Sequence, residues 1–215
     1  GASMIDLTSG FGIDFYFISR HFKKAEYVER NADLCRIASH NFKSLGATNV
    51  SATNADGIEL IKASTSHYDL IFLDPARRDK NGKKTVEIKD CEPDVVDLKE
   101  TLLSKCDRMM LKLSPMLDIK SAIRDLGCVE EVHVVAVDNE CKELILVCKE
   151  KTELKRIVAA NIKSDGTTDK LESTSMSPSG SSSYSAPLSY LYEPNVAILK
   201  ANICGFLTSD KVKKI

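Results

Sequence analysis

The stretch that most restricts the fold is Leu70, Ile71, Phe72 and Leu73, an apolar run without alternation that ends abruptly at Asp74 and Pro75. A strand with one face in water alternates apolar and polar residues. One that does not alternate is buried on both faces, as inside a parallel sheet. Pro75 lacks the N–H that a ladder needs, so the strand Tyr68–Asp74 stops there. In open α/β sheets, ligands bind outside the carboxyl ends of the strands, which places Asp74 at a ligand site.

The rest of the first 150 residues has the rhythm that such a strand requires. Strands are expected at Met4–Leu7, Ala25–Glu29, Asn49–Thr53 and Arg108–Leu113. Helices are expected from about Asp14 to Phe22, at Asp33–Leu45 before Gly46, at Gly57–Ala63, at Asp94–Ser104 and at Asp118–Leu126 before Gly127. The segment from Thr85 to Pro93 reads as loop. This alternation predicts right-handed βαβ units and a doubly wound parallel sheet. The rhythm then changes. Val129–Val137 and Glu143–Lys149 are joined only by residues 138–142, too few for a crossover helix, so they are expected to pair as an antiparallel hairpin.

Composition excludes several classes. A net charge of −1 provides no global field to recruit nucleic acid, so such binding would need a local patch. Seven cysteines without a C-x-x-C pair fit neither a disulfide framework nor a zinc site. The four histidines (21, 40, 67, 133) lack ligand spacing, and no metal site is expected. No apolar run approaches the roughly 18 residues of a membrane span, and no signal peptide precedes the first strand. A soluble, cytoplasmic protein with reduced thiols is the resulting expectation. Only Gly1–Ser3 precede the first strand, which implies helices ahead of it that this sequence does not contain.

The first turn carries Gly10 and Gly12, and a dinucleotide site would require a third small residue followed by room for a pyrophosphate. Here Phe15 stands at that third place, and Asp14 would repel phosphate. Five parallel strands, this turn and a terminal hairpin together resemble the class I S-adenosylmethionine-dependent methyltransferases, over residues 4 to about 149. The resemblance implies a seven-stranded, mostly parallel Rossmann-like sheet with an antiparallel terminal hairpin. It also implies a cationic sulfonium ligand beside Asp6 and Asp14, with Thr8 where a glycine is often found and the backbone of Gly10 and Gly12 close to the ligand's methionine part. Glu29 lies near the spacing of about 20 residues at which an acid reaches ribose hydroxyls, the diol in this family. Asp56, followed by Gly57, matches the position whose carboxylate takes the adenine amino group. On the residues alone it reads equally as a helix N-cap.

Asp74 and Pro75 match the family's fourth motif and are the expected catalytic pair, Asp74 also facing the cofactor. Enzymes that methylate exocyclic amines continue that motif with proline and an aromatic, where this chain has Ala76 and Arg77. RNA 5-methyluridine enzymes share a similar motif but attack through a cysteine after the fifth strand. This chain has Lys112, Leu113, Ser114 and Pro115 there, which disfavours covalent catalysis. Ser114 is assigned to the acceptor side. Arg77, Arg78, Lys80, Lys83 and Lys84 cluster beside the expected acceptor site, either as a clamp for a phosphate backbone or as a solvated loop.

After Lys149 the character shifts. Leu154–Ile162 reads as a strand, Ser164–Ser189 as a flexible Ser-rich insertion or linker, and Val196–Leu207 as a helix. From Arg156 onward, with Tyr190, Leu191, Tyr192, Glu193, Pro194 and Asn195, residues 150–215 resemble the opening of the small α+β THUMP-like domain that follows a methyltransferase domain in a bacterial family. The combined reading is a methyltransferase domain acting on RNA. A non-catalytic module that binds RNA or the cofactor is the competing class, and a nicotinamide-dependent oxidoreductase is opposed by Phe15 and the hairpin.

Overall fold

A computed structural model describes residues 1–76, 87–176, 186 and 189–207. In chain order the elements are β1 (Ser3–Asp6), α1 (Ile13–Ser19), β2 (Lys24–Glu29), α2 (Ala32–Ser44), β3 (Val50–Asn54), α3 (Gly57–Ala63) and β4 (Tyr68–Leu73). There follow α4 (Val95–Leu103), β5 (Cys106–Leu113), α5 (Ile119–Leu126), β6 (Val129–Val137), β7 (Glu140–Cys148), β8 (Arg156–Ile162), β9 (Thr168–Ser173) and α6 (Val196–Ala201). The nine strands among the described residues form one sheet in the order β3-β2-β1-β4-β5-β7-β6-β8-β9.

β1 to β5 are mutually parallel, and β4 is central, paired with β1 and β5. Its apolar run divides between two cores as expected. Leu70 and Phe72 pack with Phe15 of α1 and with Cys35, Ala38 and Phe42 of α2, whereas Ile71 and Leu73 face the larger core built with α3 to α6. Each apolar residue of the run contributes about 1.5–3 kcal/mol by leaving water, and the two-sided covering leaves only the strand ends open.

Polar caps set the helix starts. Asn31, Asp56, Asp94, Asp118 and Asn195 each accept backbone N–H groups of the following turn, and Gly127 closes α5 with φ 66°. β6 and β7 form the expected hairpin, with a shorter connection than the sequence suggests. Asp138 and Asn139 both adopt positive φ, the backbone of a tight two-residue turn, so β7 begins at Glu140 rather than Glu143.

Beyond residue 149 the sheet continues, and seven strands become nine. β8 pairs parallel to β6, and β9 pairs antiparallel to β8. β9 lies inside the stretch read as linker. Its outward charges, Asp169, Lys170 and Glu172, and its exposed edge position erase the alternation by which strands are recognised, and backbone pairing with β8 positions it. The helix expected over 196–207 breaks at Asn202, where φ is 56°, and resumes as a 3-10 turn at Cys204–Leu207. The segment read as loop before Pro93 contains a 3-10 turn at Ile88–Asp90. All seven cysteines are free thiols, and no helix among the described residues is long and apolar enough to cross a membrane.

Candidate active site

The site is built from the carboxyl ends of β1, β2 and β4 and the start of α3. Asp6 ends β1 fully buried, and its Oδ1 accepts the Thr8 N–H at 2.9 Å. Burial pushes this carboxyl up to about 7, and the Thr8 hydrogen bond opposes the shift only in part. Gly10 and Gly12 have φ of 53° and 76°, which favour glycine. A Cβ on Gly12 would also lie 2.5 Å from the Phe42 ring. The turn is tied to β2 from both sides, because the Gly10 N–H donates to Glu29 Oε2 at 2.9 Å and the Tyr27 hydroxyl donates to the Gly10 carbonyl. Glu29 Oε1 accepts from the Asn31 N–H at 2.7 Å, so this acid organises the turn as well as facing the cavity.

Thr8 proves to be the link between β1 and β4. Its hydroxyl accepts the Asp74 N–H at 2.7 Å, and the Leu7 N–H donates to the Phe72 carbonyl at 3.2 Å. Pro75 is buried beside an exposed Asp74. Beyond it, Ala76 forms a two-hydrogen-bond bridge with Glu92, whose side chain pairs with Arg30 at 3.1 Å. Asp56 does cap α3, with Oδ1 accepting from Ile58 and Glu59. Gly57 lies so close to β1 that a Cβ would stand 2.3 Å from the Leu7 carbonyl oxygen.

Thr8, Glu29, Asp56, Gly57 and Asp74 thus line one cavity of about 420 Å³, closed by Leu7, Arg30, Ile58, Glu59, Ala76, Glu92 and Pro93. That is the size of a small-molecule site. Five carboxylates and one arginine line it, a donor set suited to a cationic ligand bearing hydroxyl and amino donors and unsuited to a pyrophosphate. S-adenosylmethionine has that chemistry, so these residues fit it.

Lys112, near the end of β5, is the site residue that the sequence reading passed over. Its Nζ lies 2.6 Å from Asp14 Oδ2 and 2.9 Å from Asp74 Oδ2. Burial pulls the ammonium towards neutrality, but the hydrogen bonds to Asp14 and Asp74 outweigh it and hold the group charged. The signal available in the sequence is a lysine inside the apolar run Met109–Leu113, since such a charge demands a partner. Asp14 is accordingly paired by a lysine, which changes its expected role as an open anion. Ser114 is buried in a local turn, its hydroxyl accepting the Met116 N–H at 3.1 Å, and it does not line the cavity. Arg77, Arg78, Lys80, Lys83 and Lys84 lie outside the described residues. Among the described residues no cluster of His, Cys, Asp or Glu is placed to hold a metal ion.

A family model described as conserved hypothetical protein 95 matches residues 1–93. The chain is 33% identical over 76 residues to an uncharacterized RNA methyltransferase of Mycoplasma mobile, which covers 35% of this chain and 21% of that protein. A putative methyltransferase from Porphyromonas gingivalis W83 superposes with a TM-score of 0.79 at 34% identity, covering 94% of this chain. The present chain spans about half of that protein, 51%. M. capricolum TrmK, solved with S-adenosyl-homocysteine, superposes with a TM-score of 0.50 at 11% identity over 70% of this chain and 63% of its own. In architecture, this chain has the Rossmann-like α/β methyltransferase fold, a mostly parallel sheet continued by antiparallel strands.

Proposed function

We propose that the protein transfers a methyl group from S-adenosylmethionine to an RNA acceptor. The observation that carries this reading is the convergence of Thr8, Glu29, Asp56, Gly57 and Asp74 on one acidic cavity at the carboxyl ends of parallel strands. Glu29 takes the ribose diol and Asp56 the adenine amino group, while the glycine turn at Gly10 and Gly12 lets the backbone approach the methionine part. Asp6 shapes that turn from behind, and Thr8 faces the cavity. The cofactor supplies an activated methyl group, so the chain's task is alignment, worth as much as about 7–11 kcal/mol in favourable cases. Asp74, held at its N–H by Thr8 and at one oxygen by Lys112, orients the acceptor with Pro75. Arg77, Arg78, Lys80, Lys83 and Lys84 follow directly and grip the phosphate backbone. RNA is supported by the Mycoplasma mobile relative and by this basic stretch. The same proposal takes residues 150–215 as the opening of a THUMP-like domain and places the protein in a reducing cytoplasm, in keeping with its free thiols.

Calorimetric titration with S-adenosylhomocysteine and with NAD tests the reading. Heat with S-adenosylhomocysteine, at least tenfold weakened in Glu29→Ala, is expected. Binding of NAD alone would refute it. Labelled methyl transfer to total RNA by the full-length protein then separates an enzyme from a binding module.

A further inference from the structure

Lys112 adds a side-chain tie between two parts of the site, beside the backbone link from Thr8 to Asp74. Asp14 is in the first turn of α1, next to the glycine turn proposed above to take the donor, whereas Asp74 follows β4, where the acceptor is proposed to sit. In register, Leu73 of β4 stands beside Leu111 of β5, so the next residues, Asp74 and Lys112, meet at the strand ends. The flanking Met109, Leu111 and Leu113 turn into the core, and the alternation of β5 brings Lys112 out on the opposite face, where α1 packs.

Fold stability does not explain this arrangement. The Asp14 and Asp74 side chains are 48% and 43% exposed and would be solvated without a lysine, whereas Lys112 is only 22% exposed and gives up water to reach them. Pairs involving exposed carboxylates contribute little to folding. What the lysine does alter is charge. Two carboxylates at the meeting point of donor and acceptor carry −2, and the ammonium reduces this to −1. A methyl donor arrives as a sulfonium cation and leaves as a neutral thioether, so this local charge acts on donor and product differently.

We propose that Lys112 is a positioning residue that serves as the built-in counter-cation of the site, holding Asp14 and Asp74 together and limiting the preference of the pocket for the cationic donor over its neutral product. The inference rests on the methyltransferase reading above. With the lysine in place the cationic donor is not over-stabilised before transfer, and the two carboxylates stay fixed relative to each other.

The test is calorimetry on the whole chain with S-adenosylmethionine, its stable ammonium analogue sinefungin and S-adenosylhomocysteine. In Lys112→Met the affinity ratio of either cation to S-adenosylhomocysteine is expected to rise about tenfold at low salt. Lys112→Arg retains the charge and is expected to keep the wild-type ratio. The double variant Lys112→Met with Asp14→Asn restores the local charge to −1 and is expected to return towards that ratio. If Lys112→Met alone fails to fold, the comparison of Asp14→Asn with the double variant reads the same lysine effect, again as a rise in the ratio. An unchanged ratio on removing Lys112 in both backgrounds overturns the proposal and leaves the methyltransferase reading standing. Failure of the wild type to bind any of the three ligands overturns both.

Discussion

Replacing Gly57 by alanine tests whether the close approach of α3 to β1 is what shapes the cavity. The added Cβ would stand 2.3 Å from the Leu7 carbonyl oxygen, 2.9 Å from its Cα and 3.0 Å from its carbonyl carbon, all backbone atoms that cannot rotate aside. Leu7 cannot retreat either, because its N–H is bonded to the Phe72 carbonyl of the central strand. The helix must therefore move by about 1 Å. Overpacking of this kind costs about 1–3 kcal/mol, and alanine recovers at most about 1 kcal/mol through its helix preference. A net loss of about 1–2 kcal/mol lowers the Tm of a chain this long by about 2–8 °C. Leu7, Thr8, Asp56, Gly57 and Ile58 all line the cavity, so the same shift displaces Asp56 from β1 and weakens S-adenosylhomocysteine binding. Scanning calorimetry and ligand titration of the variant measure both effects. A Tm equal to or above wild type would refute the steric reasoning.

Two further perturbations probe the β1 turn. The buried Asp6 carboxyl is raised from 3.8 to about 7, so the folded chain holds its proton more tightly than the unfolded chain does. Its contribution to stability is complete below about pH 4 and is lost as pH rises to about 7, a change on the order of 4 kcal/mol. Urea unfolding between pH 4 and 8 should show this decline in the wild type and a flatter profile in Asp6→Asn; equal slopes would contradict the assignment. Thr8→Val removes the acceptor of the Asp74 N–H, with an expected cost of about 1 kcal/mol because exposed Asp74 can turn to water. Thr8→Ser should restore it, and methyl transfer should fall further than stability in the valine variant. Equal activity in the valine and serine variants would dismiss the idea that Thr8 positions Asp74.

Much of this architecture is legible along the chain because local chemistry carries it. The unalternating run Leu70–Leu73 demanded burial on two faces, and Pro75 demanded an end. The short connection after Val137 demanded a hairpin, and Asp56, Asp94 and Asp118 stood at the starts of expected helices, whereas the cap at Asn31, two residues before the expected start at Asp33, emerged only in the structure. β9 was illegible for a physical reason: most of its side chains are exposed, and partnership with β8 exists only once β8 is in place. The two roles of Asp56, undecided in the sequence, are compatible in the structure, since Oδ1 alone takes both cap hydrogen bonds while the residue lines the cavity.

By itself, then, the sequence determined the parallel run of the first five strands, the hairpin that follows them and the acids at the strand ends, because periodicity, capping and chain-breaking act over a few residues. Only the tertiary structure decided which of those acids share a cavity, that Thr8 holds the backbone of Asp74, and that Lys112 reaches Asp14 from 98 residues away. Such contacts depend on strand register and on the approach of elements remote in sequence. No local pattern encodes them, since the same lysine on a strand shifted by one residue would face the opposite core.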